Sequence, residues 1–491
     1  MLMLKVLSVH TGLLVLGVIA GCQPVTVRHD EPESRKNPEQ VTSAELKDLL
    51  AEDYYLEDPS CQDSDGIADI GEQDVHRFGG GSTQPLPHSF QGFSSDGALQ
   101  GPGFSASVYN FHQQNKCDRT SAGESCDSGA RIVSQARNLK ICRPDGHYAR
   151  ASIEGISLTS IASLDNANRF YRSVPNAREN LRNATVIVLP LVEKVITETG
   201  SDGSRSTYSS VTTDNLAYTS NFDGRPAFVI FPKSRNAVSK GRWQNLNLWE
   251  LPWGMAHEFG HHVFRSHSGI EKLPGTTITL HGLQLGTPIH SIDFDADKPV
   301  KGFMLAGRSV GPEQIFGAVN EGFADIFSYY SLGQSATLTE GVDCFEKNRD
   351  ITSATFANGA PKMISTEVLD IFNATERIAA NSCVGADYQD IHNIGAIIAH
   401  GIMRLYSSRA ATSGATAGEQ AGWLLNWADS VGVAIRTDGR PAVTFENLIA
   451  LAIAGVAESD SSLTVEQCSI VRSVFPAYAG KWLTGKFTCR N

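Results

Sequence analysis

The sequence predicts an α+β fold, with a mostly antiparallel sheet followed by a largely helical C-terminal part. The sheet comes from three runs, "NATVIVLPLVE", "STYSSVTTDNLAYTS" and "RPAFVIFP", which are β-branched or aromatic and punctuated by Gly, Asp and Asn. The helices come from apolar residues at helical spacing over 313–331, 391–409, 420–435, 445–457 and 464–478. One more helical pattern, "IASLDNANRFYRSV", precedes the strands. Sheet first and helices later leaves room for a cleft between two lobes.

A chain of 491 residues is long enough for two or three domains. Its 41% hydrophobic and 19% charged residues are those of an ordinary globular protein. The net charge of −12, with no local run of Lys and Arg, argues against nucleic acid as a partner, because phosphate binding needs a basic surface. We divide the chain into a signal peptide (1–21), a polar tether and loop-rich segment (22–90) and a cysteine-rich N-terminal region (91–150). A sheet lobe with an insertion (151–310) and a helical C-terminal lobe (311–491) follow.

The N-terminus has one cation, Lys5, and then a short apolar run that ends in Ile19-Ala20-Gly21-Cys22. It resembles a bacterial lipoprotein signal, which implies export, a lipid on Cys22 and attachment to the cell envelope without a membrane-spanning helix. Gln23 after the cysteine points to the outer membrane or cell surface. Eight cysteines remain, an even number suited to disulfides outside the cytoplasm, with Cys468 and Cys489 the preferred pair.

The stretch "SAELKDLLAEDYY" has a short helical pattern inside the tether. After it, "CQDSDGIADIGE" places Asp63, Asp65, Gly66, Asp69 and Glu72 in the pattern of a calcium loop, but Cys61 stands where the first acidic ligand belongs. An acidic surface turn is therefore the preferred reading, with calcium second. The Gly- and Ser-rich run 79–104 is expected to be loop or linker.

The chemistry concentrates in "AHEFGHHVFRSH". Pro252 suits the first turn of a helix running from 251 to about 265, on which His257 and His261, four residues apart, project from one face. Two imidazoles at that spacing can share a zinc ion, and Glu258 beside the first can act as general base. The third ligand is the open question. His267 would complete a metzincin-type site, but that class turns the chain at a glycine, and the matching place here is Phe264. His267 is then a surface histidine near the helix end, and His262 a bystander that points away from the metal.

The alternative lies in "GAVNEGFADIFS", where Asn320-Glu321 and Asp325 form N-E-x-x-x-D. This resembles the matching element of the thermolysin-like gluzincins. The resemblance implies that Glu321 ligates zinc with His257 and His261, and that Asp325 holds a ligating histidine, with Asn320 beside them. A further match is "DYQDIHNIGAIIAHGI", in which Asp387 and His392 stand as the family's oxyanion-stabilising histidine and its orienting aspartate. It departs from the family by one residue between the histidine and the following glycine.

The implied activity is zinc-dependent hydrolysis of peptide bonds in a cleft between the sheet and helical lobes. Glu258 and His392 are the catalytic residues, and a peptide or protein is the substrate. The run "PAFVIFP" is the candidate edge strand along which substrate would lie. The long interval 268–310 would be an insertion near the cleft. Two rival readings are the metzincin-type protease that uses His267 and a surface-binding lipoprotein that keeps the fold without hydrolysis.

Overall fold

The computed structural model describes residues 40–41, 72–79, 82–89, 92–93, 99–101, 104–120, 123–126, 129–134, 148, 152–179, 186–200, 202–211, 215–222, 225–231, 236–238, 242–244, 248–271, 273–274, 299–301, 311–333, 348–374 and 387–490. The lipidation site Cys22, the calcium-like loop 61–71, the helical pattern in the tether and nearly all of the insertion 268–310 lie outside them.

Gly80 and Gly81 separate two strands, β1 (Glu72–Gly79) and β2 (Ser82–Ser89), which pair antiparallel from Glu72↔Ser89 to Gly79↔Ser82. Two-residue Gly-Gly connections suit such hairpins because they adopt the backbone that the strand twist demands. This corrects the loop expectation for 79–104, which also contains the short strands Gly92–Phe93 and Leu99–Gly101.

The main sheet is built on β3 (Phe104–Thr120) and β5 (Val186–Thr199), which run parallel from Ser107↔Val186 to Arg119↔Glu198. Parallel neighbours need a long crossover, and the helix α1 (Ile153–Ser173) lies within it. Between β3 and α1, β4 (Gly129–Ser134) pairs antiparallel with β3. The short strand Gly123–Cys126 also returns on β3, so that Cys117 faces Cys126. On the other side of β5 lie β6 (Arg205–Val211), antiparallel, and β8 (Arg225–Phe231), parallel. Strand β7 (Asn215–Phe222) pairs antiparallel with β8, and the short segments Gln40–Val41 and Pro299–Lys301 pair antiparallel with β6 and β4. Most pairings are thus antiparallel, as expected, while the two on β5 with β3 and β8 are parallel.

The run "PAFVIFP" is not an edge. Strand β8 bonds β7 on one side and β5, at Ala227–Val229, on the other. Its residues 226–230 are all buried, which explains an unbroken apolar run rather than an alternating one.

Helix predominates from residue 252. The helices are α2 (Pro252–Ser268), α3 (Pro312–Ser331), α4 (Thr366–Asn373), α5 (Ile391–Ser413), α6 (Ala417–Asp438), α7 (Phe445–Ala454), α8 (Val465–Val474) and α9 (Pro476–Gly485). Pro252, Pro312 and Pro476 each stand in a first turn, where a missing N–H costs nothing. The single pattern expected over 464–478 is therefore two helices, with Phe475 ending α8 and Pro476 starting α9. Cys468 of α8 is bonded to Cys489, as expected, which ties the C-terminal segment to that helix.

Two contacts bring α2, α3 and α5 unusually close. A Cβ on Gly260 would lie 2.8 Å from the Ala324 Cα, and one on Gly395 would lie 2.6 Å from the Glu321 Cβ. Only glycine fits either place, so these two positions let α2 and α5 press their backbones against α3. The aromatic rings of Phe259, Phe264, Phe323 and Phe327 fill the remaining space between α2 and α3 and are buried.

Candidate metal centre

Helix α2 carries His257 and His261 on one face, and α3 carries Glu321 opposite them. One ligand atom from each of the three lies within 4.8 Å of the others, and all three residues are buried. His257 Nε2 is 3.3 Å from Glu321 Oε2, and His261 Nε2 is 3.4 Å from Glu321 Oε1. Two imidazole nitrogens and one carboxylate are a donor set that suits a divalent transition metal. Glu321 Oε1 is buried without a hydrogen-bond partner among the described residues. A buried carboxylate oxygen in that state is costly, so it fits a cation that would bind it. This His-His-Glu group could hold a metal ion.

Asp325, one turn after Glu321, lies with its Oδ1 2.9 Å from His257 Nδ1. This contact joins the two residues that the sequence reading paired. Asn320 is fully buried beside Glu321, and its carboxamide is a hydrogen-bonding neighbour of the His261 ring.

Glu258 is buried next to these groups, and burial pushes its carboxyl up to about 7. A carboxyl there can hold and release a proton near neutrality. Burial pushes His261 down to about 3, leaving the neutral imidazole that ligation needs. For His257, burial and Arg349 act downward, but hydrogen bonds with Asp325 and Glu321 outweigh them and hold the ring above its ordinary value. Glu321 is held well below the carboxylate range because the neighbouring histidines His392, His261 and His257 outweigh its burial.

His392 opens α5 and brings its Nε2 to 3.7 Å from Glu321 Oε2. Burial acts to lower it, but the Glu321 and Asp390 carboxylates prevail and push it up to about 9. The orienting carboxylate differs from the expected one. Asp390 Oδ1 lies 2.6 Å from His392 Nδ1, whereas Asp387 Oδ1 accepts from the Gln389 amide. Asp390 is the N-cap of α5 and also accepts from the His392 backbone N–H, so one carboxylate starts the helix and fixes its first ring.

His267 is on another side of α2. The helix continues through Phe264, which is fully buried, and ends at Gly269 in the left-handed conformation with φ 65°. His267 is buried rather than exposed, with Nε2 3.0 Å from the Tyr171 hydroxyl and Nδ1 3.2 Å from Asp429 Oδ1. Both ring nitrogens are engaged away from the cluster, which removes His267 as third ligand. His262 faces the sheet, where Nδ1 lies 3.1 Å from the Tyr218 hydroxyl.

The sequence reading overlooked Arg349. Its Nη2 lies 3.1 Å from Glu321 Oε2, 2.7 Å from Asp325 Oδ1 and 3.1 Å from His257 Nε2. It sits in an irregular segment with no periodicity to mark it. The only available signal was a matter of charge, since buried carboxylates such as Glu321 and Asp325 require a cation nearby.

A scan against protein-family models and a search of curated proteins find nothing that matches this chain. The functional reading therefore rests on the residues themselves.

Proposed function

We propose that this chain is a zinc-dependent endopeptidase of the thermolysin-like gluzincin type, exported and held to the bacterial cell envelope by a lipid on Cys22. The observation that carries the reading is the buried His257, His261 and Glu321 cluster with Glu258 at its side. In this reading the site lies in a cleft between a sheet lobe and a helical lobe, and peptide or protein is the substrate.

The ion, when bound, supplies a Lewis acid and lowers the pKa of water in the site. His257, His261 and Glu321 would hold it. Glu258 accepts a proton from the attacking water and later delivers it to the leaving amine, a role suited to a carboxyl poised near 7. His392 points its Nε2 towards Glu321, so it can donate to the carbonyl oxygen as negative charge develops there. Asp390 keeps the ring in that orientation.

Glu258→Gln tests the reading, because it removes the base and keeps the shape. The variant should bind zinc as the unmodified protein does and lose hydrolysis of a peptide library by about a hundredfold or more. Equal zinc and equal hydrolysis in the two proteins would overturn the mechanism. Zinc bound by both with no hydrolysis by either would favour a surface-binding lipoprotein.

A further inference from the structure

The position of Arg349 raises a question that the catalytic roles leave unanswered. Its guanidinium is buried, with Nη2 3.1 Å from Glu321 Oε2 and beside the His257 ring, 3.1 Å from Nε2 and 3.2 Å from Nδ1. Nη2 is nearly equidistant from the two ring nitrogens, so it lies beside the ring and not along the Nε2 lone pair, and the ligand atom it engages is Glu321 Oε2. A divalent cation there would also repel a guanidinium at such short range in a buried setting. Arg349 and a metal therefore compete, as cations, for the Glu321 carboxylate.

A third contact gives the displaced side chain somewhere to remain. Asp325 Oδ1, 2.7 Å from Nη2, is not a ligand, and it keeps its own bond to His257 Nδ1. The backbone of Arg349 is held on both flanks. Asn348 Oδ1 accepts from the Ala357 amide at 2.8 Å, and His400 Nδ1 lies 2.7 Å from the Ile351 carbonyl. Lys362 donates its ammonium to the Asp350 carbonyl. The loop is fixed from three sides, so the exchange is confined to the arginine side chain.

We propose that Arg349 is an exchangeable cation that determines metal affinity: it neutralises the buried carboxylates in the metal-free protein and gives up Glu321 when a metal binds, while keeping Asp325. This rests on the metal reading of the site. The arginine thereby preorganises the ligands without a metal and sets a threshold that the metal must exceed. A metal with weak affinity fails to displace it, so the device selects by strength of binding.

The test uses the full chain with Arg349→Met and Arg349→Gln, zinc affinity by chelator competition, and melting temperature with and without zinc. Both variants should bind zinc about tenfold more tightly, the equilibrium equivalent of one charge-assisted hydrogen bond no longer broken. Their metal-free melting temperature should fall below that of the unmodified protein, and zinc should raise it by more. Variants that fold only when zinc is present would support the exchange, because zinc then supplies the missing charge. Folded variants with equal or weaker zinc affinity would overturn it, as would variants that fail to fold even with zinc. If neither the unmodified protein nor any variant binds zinc, the metal reading falls and this inference with it.

Discussion

His257 Nδ1 and Asp325 Oδ1 lie 2.9 Å apart, so a carboxylate from α3 fixes the orientation of a ring from α2. That bond directs Nε2 towards Glu321 and away from the helix. Asp325→Asn should therefore weaken zinc binding by about 10- to 100-fold without removing any ligand. Zinc titration against a competing chelator measures it, and an unchanged affinity would show that the ring is held by packing alone.

Gly395 determines how closely α5 can approach Glu321 on α3. A methyl group there would lie 2.6 Å from the Glu321 Cβ and 3.0 Å from the Gly322 N. Gly395→Ala should cost about 1–3 kcal/mol of stability by overpacking and should also weaken zinc binding, since the strain falls on the ligand-bearing residue. Urea unfolding and zinc titration of the same sample read both. A loss of stability with no change in zinc affinity would mean that Glu321 is insulated from the contact.

The clamp around His267 makes a pH prediction. Burial acts to raise the Asp429 carboxyl, but His267 and Arg178 outweigh it and hold it below the ordinary carboxylate value of 3.8. A folded-state value below the unfolded one means stability that is present above the unfolded value and lost as pH falls through the folded one. Asp429 is partly exposed, so the effect is modest. Asp429→Asn should cost roughly 1 kcal/mol at pH 7, and the gap should shrink as pH falls below the ordinary carboxylate value. Urea midpoints across pH for the two proteins check this; a constant gap would show that hydrogen bonding rather than charge is responsible.

The parts legible in the sequence were those written in local spacing. His257 and His261 are four residues apart, as are Glu321 and Asp325, and helical geometry alone puts each pair on one face. What joins the pairs is distant in sequence. Arg349 has no periodic neighbours, and His267 is buried by Tyr171 and Asp429, 96 and 162 positions away. Two errors had readable signals. Asp390 stands directly before an apolar helix, where an N-cap belongs, and that place brings it closer to the His392 ring than spacing five would suggest. The run "PAFVIF" lacks the alternation of a half-exposed strand, and β8 proves to be paired on both sides.

The central claim is that Glu321, not His267, completes the metal site with His257 and His261. Zinc content per chain, measured by elemental analysis after dialysis of folded protein, tests it in Glu321→Ala and His267→Ala. The account predicts that Glu321→Ala loses its zinc, while His267→Ala retains as much as the unmodified protein despite lower stability. Zinc lost from His267→Ala and kept by Glu321→Ala would contradict it.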